Sequence, residues 1–102
     1  SRPDRMRTIM DHADHDNVYV CWNSNPGEVE NGSIDEAYEL LRHKVGLVHI
    51  TEMCNPEYPW RDLFSKLQAD GYDGYTLAEI PNNEDGERIL KYYKALWDAY
   101  QS

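Results

Sequence analysis

His49 and Glu79 are the two residues on which a chemical reading of this sequence can be built. The first lies in "LVHIT" (Leu47–Thr51), the second near the end of "YTLAEI" (Tyr75–Ile80). Side chains alternate along a strand. Leu47, His49 and Thr51 therefore share one face, and Tyr75, Leu77 and Glu79 share a face of another strand. An imidazole and a carboxylate turned inward near the carboxyl ends of neighbouring strands are donors for one divalent metal ion. The metal would also supply the charge that Glu79 needs between Ala78 and Ile80, because an unpaired buried charge is costly. A plainer arrangement fits the same spacing: a Glu79–His49 hydrogen bond, or a Glu79 already in water at the mouth of its strand.

Other polar residues fall at strand exits. Asn23 follows "VYVCW" (Val18–Trp22), and Glu52 follows "LVHIT". "HADH" sets His12 and His15 three apart, spacing that suits a surface metal site but reads better as a solvated helix end. Cys54 has no identifiable catalytic partner and reads as a bystander thiol.

The elements that must position these residues are legible from periodicity. Pro3 suits a first helical turn, with Met6, Ile9, Met10 and Ala13 following at helical spacing. Ser33 and Glu36 form an S-x-x-E capping box ahead of a helix faced by Ile34, Ala37, Tyr38 and Leu41, which Gly46 is expected to end. Pro59 opens a helix faced by Trp60, Leu63, Phe64 and Leu67, with Gly71 as its C′ residue. A last helix carries Ile89, Tyr93, Leu96, Trp97 and Tyr100 on one face, read as core packing. "NSNPGEVENG" is a loop on composition.

Strand starts at positions 18, 47 and 75 lie 29 and 28 residues apart, the length of one βα unit repeated. Strands alternating with single helices predict a parallel α/β sheet with right-handed crossovers. In such folds chemistry sits at the carboxyl ends of the strands, where Asn23, His49, Glu52 and Glu79 fall.

Composition narrows the partners. The 102 residues suffice for one modest domain, 1–102, and the 40% hydrophobic content is that of a globular chain. No apolar run approaches the ~20 residues of a membrane span. A net charge of −9 without a basic stripe makes nucleic acid an unsuitable partner. Cys21 and Cys54 form no C-x-x-C pair and are read as reduced thiols of a cytoplasmic protein. No Met precedes Ser1, and the expectation is a piece of something longer.

The same stretches resemble a known family. "VHITE" is similar to the metal-binding His strand of the xylose-isomerase-like sugar isomerases and epimerases, and "LQADGYDGYTLAEIP" to that family's ending, where "GYDG" precedes a strand carrying a metal-binding Glu. "YPWRDLFSKL" fits the helix between them. The likeness runs from about Val18 to Tyr100 and is nearest to the hydroxypyruvate-isomerase-like, sugar phosphate isomerase/epimerase group. It implies a TIM barrel with a divalent metal (Mn, Mg, Co or Zn) at the carboxyl mouth. It also implies aldose–ketose isomerisation or epimerisation beside a carbonyl, on a sugar or hydroxy-carbonyl substrate. His49 matches the metal-binding His and Glu79 the metal-binding Glu. Glu52 matches an acidic position after the His. The metal polarises a carbonyl and hydroxyl pair while a carboxylate moves a proton on the adjacent carbon, so Glu79 is also the candidate base.

The sequence departs from that pattern in two places. Asn23 and Pro26 stand where the family often has D-x-x-H, and an Arg found in some members is missing from "EMCNPEYP". An eight-unit barrel takes roughly 250 residues, so the expectation is a partial barrel of about three βα units behind one helix, without a complete active site. Two other readings stand beside it: a non-catalytic fragment or assembly module of the same fold, and a metal-dependent phosphoesterase of the endonuclease type. Three parallel strands leave two open edges and one bare face, which predicts a homo-oligomer unless the first helix folds over that face.

Overall fold

A computed structural model describes residues 2–102. Its elements are α1 (Pro3–Ala13), β1 (Val20–Trp22), a 3-10 turn (Pro26–Glu28), α2 (Asp35–Leu41), β2 (Val45–Ile50), α3 (Trp60–Ala69), β3 (Thr76–Ala78) and α4 (Gly86–Gln101). The three strands form one parallel sheet in the order β1-β2-β3. This is an α/β fold of three βα units behind a helix, as the periodicity predicts, with an open sheet.

Alternation decides which side of the sheet carries the core. Val20 and Trp22 of β1 and Val48 and Ile50 of β2 point to one face and are buried. Ala37, Tyr38 and Leu41 of α2 and Trp60, Leu63, Phe64 and Leu67 of α3 belong to the same core. Trp22 meets Tyr38 edge-on with ring centroids 5.6 Å apart. At about 1.5–3 kcal/mol for each large apolar side chain fully buried, this layer dominates the stability. Met10 ties α1 into it, whereas Ile9, expected on the same helix face, is exposed.

The helix α3 ends as the sequence predicts. Gly71 has φ +70°, Tyr72 N–H donates to Leu67 O at 2.9 Å, and Gly71 N–H donates to Gln68 O at 3.0 Å. That pair of bonds is a Schellman cap, which requires a residue free of a β-carbon penalty. The start of α2 differs from the expected capping box. Ser33 Oγ accepts the Asp35 N–H at 3.0 Å, but Ile34 is the N-cap residue and has no side-chain cap. Glu36 turns toward Glu30 instead.

Gly46 corrects the sequence reading more substantially. The helix α2 stops at Leu41, and Gly46 lies inside β2. It is the extra residue of a β-bulge: Val20 pairs with Val45, but Cys21 pairs with Leu47. The bulge resets the alternation, so that Val48 and Ile50 face the core while Leu47 and His49 face the other side. Strand bounds also shift. β1 begins at Val20 rather than Val18, β2 runs from Val45 to Ile50, and β3 is only Thr76–Ala78.

Among the described residues, no helix layer covers the second face of the sheet. Tyr75 is 77% exposed, Tyr19 58% and Leu77 41%. α1 packs along α2, and α4 along α3. Among the described residues no helix is long and apolar enough to cross a membrane.

Candidate functional site

The bulge at Gly46 puts His49 on the uncovered face of the sheet. Its position along that face is fixed by the hydrogen bonds of the residues around it. Ser24 Oγ donates to His49 O at 2.7 Å, and Thr51 Oγ1 donates to Ser24 O at 3.3 Å. Tyr93 of α4 donates its hydroxyl to Ile50 O at 2.5 Å and is 3.1 Å from Thr51 O. Every carbonyl from His49 to Thr51 is thereby held, so the carboxyl end of β2 is anchored to the loop after β1 and to α4. Ser24 is buried and adopts φ +58°, unusual for a residue with a β-carbon. Its two bonds to the end of β2 compensate that conformation.

Glu79 lies one residue past β3. Its N–H donates to Ile50 O at 2.8 Å, which extends the ladder and keeps Glu79 in strand alternation. The pairing His49↔Leu77 leaves Glu79 one pleat further toward the carboxyl end on the same face. The two side chains meet there: His49 Nδ1 contacts Glu79 Oε2. Nδ1 is shielded from water, yet the contact lacks hydrogen-bond geometry. Glu79 itself is 55% exposed. The expected burial of Glu79 in a strand interior is therefore corrected: β3 is too short to enclose it, and water solvates one side of its carboxylate.

Asn23 is half-buried at the end of β1, and its Oδ1 accepts the Cys21 thiol at 3.5 Å. Burial, then the charge of Glu79, then that of Glu28 push the Cys21 thiol up. Such a thiol is a poor nucleophile at neutral pH. Cys21, Asn23, His49 and Glu79 thus occupy one neighbourhood at the carboxyl end of the uncovered face. Glu52 does not join it. It is exposed in the loop after β2, where its carboxylate lies 3.7 Å from Cys54 Sγ and its charge acts on Tyr93. His12 and His15 are exposed, and His15 Nδ1 accepts the Asn17 N–H at 3.0 Å.

A catalytic zinc site takes three protein ligands. Among the described residues no group of three or more His, Cys, Asp or Glu side chains is placed to hold a metal ion. His49 and Glu79 provide two donors, and the Asn23 carbonyl that stands in place of a carboxylate is engaged by Cys21. One copy of this chain falls short of the donor set that its resemblance implies.

A second polar cluster at the same end of the sheet had no sequence signature. Trp22 Nε1–H donates to Tyr58 OH at 2.9 Å, and Tyr58 OH donates to Glu28 Oε1 at 2.5 Å. Nearby backbone N–H groups of Asn23, Ser24 and Asn25 also favour the charged form of the Glu28 carboxylate. Burial nevertheless holds the Glu28 carboxyl above its usual value, outweighing these bonds. A cleft of about 280 Å³ opens beside this cluster, lined by Ser24, Thr51, Asn55 and Tyr58 among others. Glu28 and Tyr58 lie in two loops 30 residues apart, and nothing in either loop's composition marks them as partners.

No protein-family model, curated protein or solved structure matches this chain.

Proposed function

We propose that this chain is the carboxyl-terminal part of a xylose-isomerase-like barrel and contributes to isomerisation or epimerisation beside a carbonyl. The observation that supports the reading is the meeting of His49 and Glu79 on one face, at the carboxyl ends of adjacent parallel strands. That is the end of a parallel sheet where ligands bind. Glu79 suits the role of base. One side of its carboxylate is open to solvent and hence to a substrate carbon, and its other side contacts His49 Nδ1. A carboxylate so placed can take a proton from the carbon next to a carbonyl and return it to the neighbouring carbon. The free thiols Cys21 and Cys54 fit a reducing, cytoplasmic setting.

Solvent-deuterium exchange tests this reading. A panel of hydroxy-ketones and sugar phosphates is incubated with the protein and a divalent metal in D2O, and exchange at the carbon beside the carbonyl is followed by NMR. Exchange that disappears in Glu79→Gln and persists in Glu52→Gln is the expected result. Exchange indifferent to Glu79→Gln would overturn the assignment of the base.

A second reading is an assembly module that keeps the fold without the chemistry. The shortfall of donors around His49 and Glu79 favours it. It predicts no exchange with any member of the panel, with folding and assembly intact in both variants.

A further inference from the structure

The loop between β1 and α2 carries a reactive pair that lies outside the His49/Glu79 site. Asn31 and Gly32 form a two-residue turn closed by an antiparallel bridge between Glu30 and Ser33. Glu30 N–H donates to Ser33 O at 2.8 Å, and Ser33 N–H donates to Glu30 O at 3.0 Å. Asn31 has φ +52° and Gly32 φ +79°, the left-handed pair that suits an Asn-Gly turn. We propose that Asn31 is a self-modification site: its side chain cyclises onto the backbone nitrogen of Gly32, releases ammonia and reopens as aspartate or isoaspartate.

The step needs only water as co-reactant. The Gly32 nitrogen attacks Asn31 Cγ, so that a C–N bond forms and the Cγ–Nδ2 bond breaks. The Gly32 amide proton leaves with the side-chain nitrogen as ammonia. Water then opens the resulting cyclic imide at one of its two carbonyls. Cleavage at Cγ gives aspartate. Cleavage at the Asn31 backbone carbonyl leaves the chain running through Cγ, which is isoaspartate. Nothing is oxidised or reduced.

The surroundings of the turn favour the attack. Both residues are exposed. A β-carbon built on Gly32 would meet nothing within 4 Å, so the approach to its nitrogen is uncrowded. The backbone bonds of the turn run between Glu30 and Ser33 and leave the Gly32 N–H unpaired. The bridge stands apart from the three-stranded sheet, and such a surface turn opens locally at little cost. Opening lets the Asn31 side chain swing over the next nitrogen.

The other asparagines lack this combination. Of seven in the chain, Asn25 and Asn55 precede prolines, which carry no amide hydrogen. Asn17, Asn23, Asn82 and Asn83 precede residues whose side chains crowd the attack. Only Asn31 precedes a glycine.

Conversion would reach beyond the turn. Isoaspartate lengthens the backbone of a two-residue loop, and hairpin pairing depends on loop length. The two bonds of the Glu30–Ser33 bridge cannot both survive it. Ser33 Oγ accepts the Asp35 N–H at 3.0 Å, and Ile34 between them is fully buried. Either product also sets a new carboxylate beside Glu30, whose carboxyl group already meets that of Glu36. The entry to α2 is therefore loosened.

Peptide mapping by mass spectrometry tests the proposal on the whole chain, after incubation for days in mildly alkaline buffer. The expected result is conversion of amide to acid in the peptide carrying Asn31, resolved into aspartate and isoaspartate forms, with the other six asparagines unchanged. Gly32→Ala, which crowds the attacked position, should lose the conversion. Asn31→Gln should lose it too, because its longer side chain must close a larger ring, and this variant leaves Gly32 free to keep its positive φ. Conversion at another asparagine before Asn31 would overturn the proposal. So would an Asn31 that stays an amide in the folded protein while the urea-unfolded chain converts it, since the turn would then protect rather than expose it.

Discussion

Gly46 passes directly against Tyr19: a β-carbon on Gly46 would lie 2.7 Å from Tyr19 Cβ and 3.0 Å from its Cγ. The nearest atom sits at the root of the tyrosine side chain and cannot swing aside. The Lys44 ammonium, 5.0 Å from the tyrosine ring centroid, packs the ring from another side. Glycine is therefore required at the bulge that turns His49 onto the uncovered face.

Gly46→Ala is expected to lower stability by about 1–3 kcal/mol, the usual cost of forcing extra volume into a packed site. Urea denaturation followed by tryptophan fluorescence measures it. An unchanged midpoint would show that β1 and β2 can separate at the bulge without cost.

Tyr58 joins two groups that lose their partners together if its hydroxyl is removed. Tyr58→Phe leaves the buried Trp22 Nε1–H and one oxygen of Glu28 unsatisfied. A loss of about 1–3 kcal/mol is expected, again from the denaturation midpoint. A loss of a few tenths of a kcal/mol would mean that water replaces the phenol.

The Glu28 carboxyl makes a signed prediction about pH. Its folded-state value is raised by burial, so the folded protein holds this proton to higher pH than the unfolded chain does. Its contribution to stability is thus most favourable below the ordinary carboxylate range and declines as pH rises through the raised value. Glu28→Gln should raise the wild-type midpoint at pH 7 and leave it unchanged near pH 3. The comparison needs thermal melts at the two pH values. A lower midpoint for Glu28→Gln at pH 7 would contradict the dominance of burial.

Asp70 carries the opposite sign. The Arg42 guanidinium grips both its oxygens, at 2.5 Å and 3.2 Å, and Tyr38 donates to it at 2.8 Å. The Arg42 hydrogen bonds hold the Asp70 carboxyl below its usual value. Stability from this contact, which ties α2 to the end of α3, is present above the unfolded-state value and lost as pH falls through the lower folded one. Asp70→Asn should lower the midpoint at pH 7 and flatten its decline below about pH 4. Identical acid limbs in the two proteins would sink this assignment.

What the sequence made legible follows from where the determining contacts lie. Trp60, Leu63, Phe64 and Leu67 announced α3 because helix burial repeats every three or four residues, and all four are buried. Gly71 was readable as a cap because a cap is a local event. Gly46 reads as a cap in the sequence because a glycine shortly after a helix has that look, whereas a bulge is defined only by the neighbouring strand. The exposure of Ile9 is not legible because only the angle of α1 on α2 decides which turns are covered. The adjacency of His49 and Glu79 followed from strand alternation and parallel order. The exposure of Glu79 did not, since it depends on β3 ending at Ala78. Glu28 and Tyr58 were invisible because their contact joins two loops with no periodicity to betray it.

Under the proposed reading His49 and Glu79, and not Glu52, are the metal donors of this chain. Calorimetric titration with zinc or manganese tests it most directly. The account predicts that Glu79→Gln and His49→Gln each weaken binding by at least about tenfold, the scale on which changes even outside the ligand set reduce metal affinity. Glu52→Gln should bind as the wild type does. Equal losses in Glu79→Gln and Glu52→Gln, or wild-type binding by Glu79→Gln, would contradict the account.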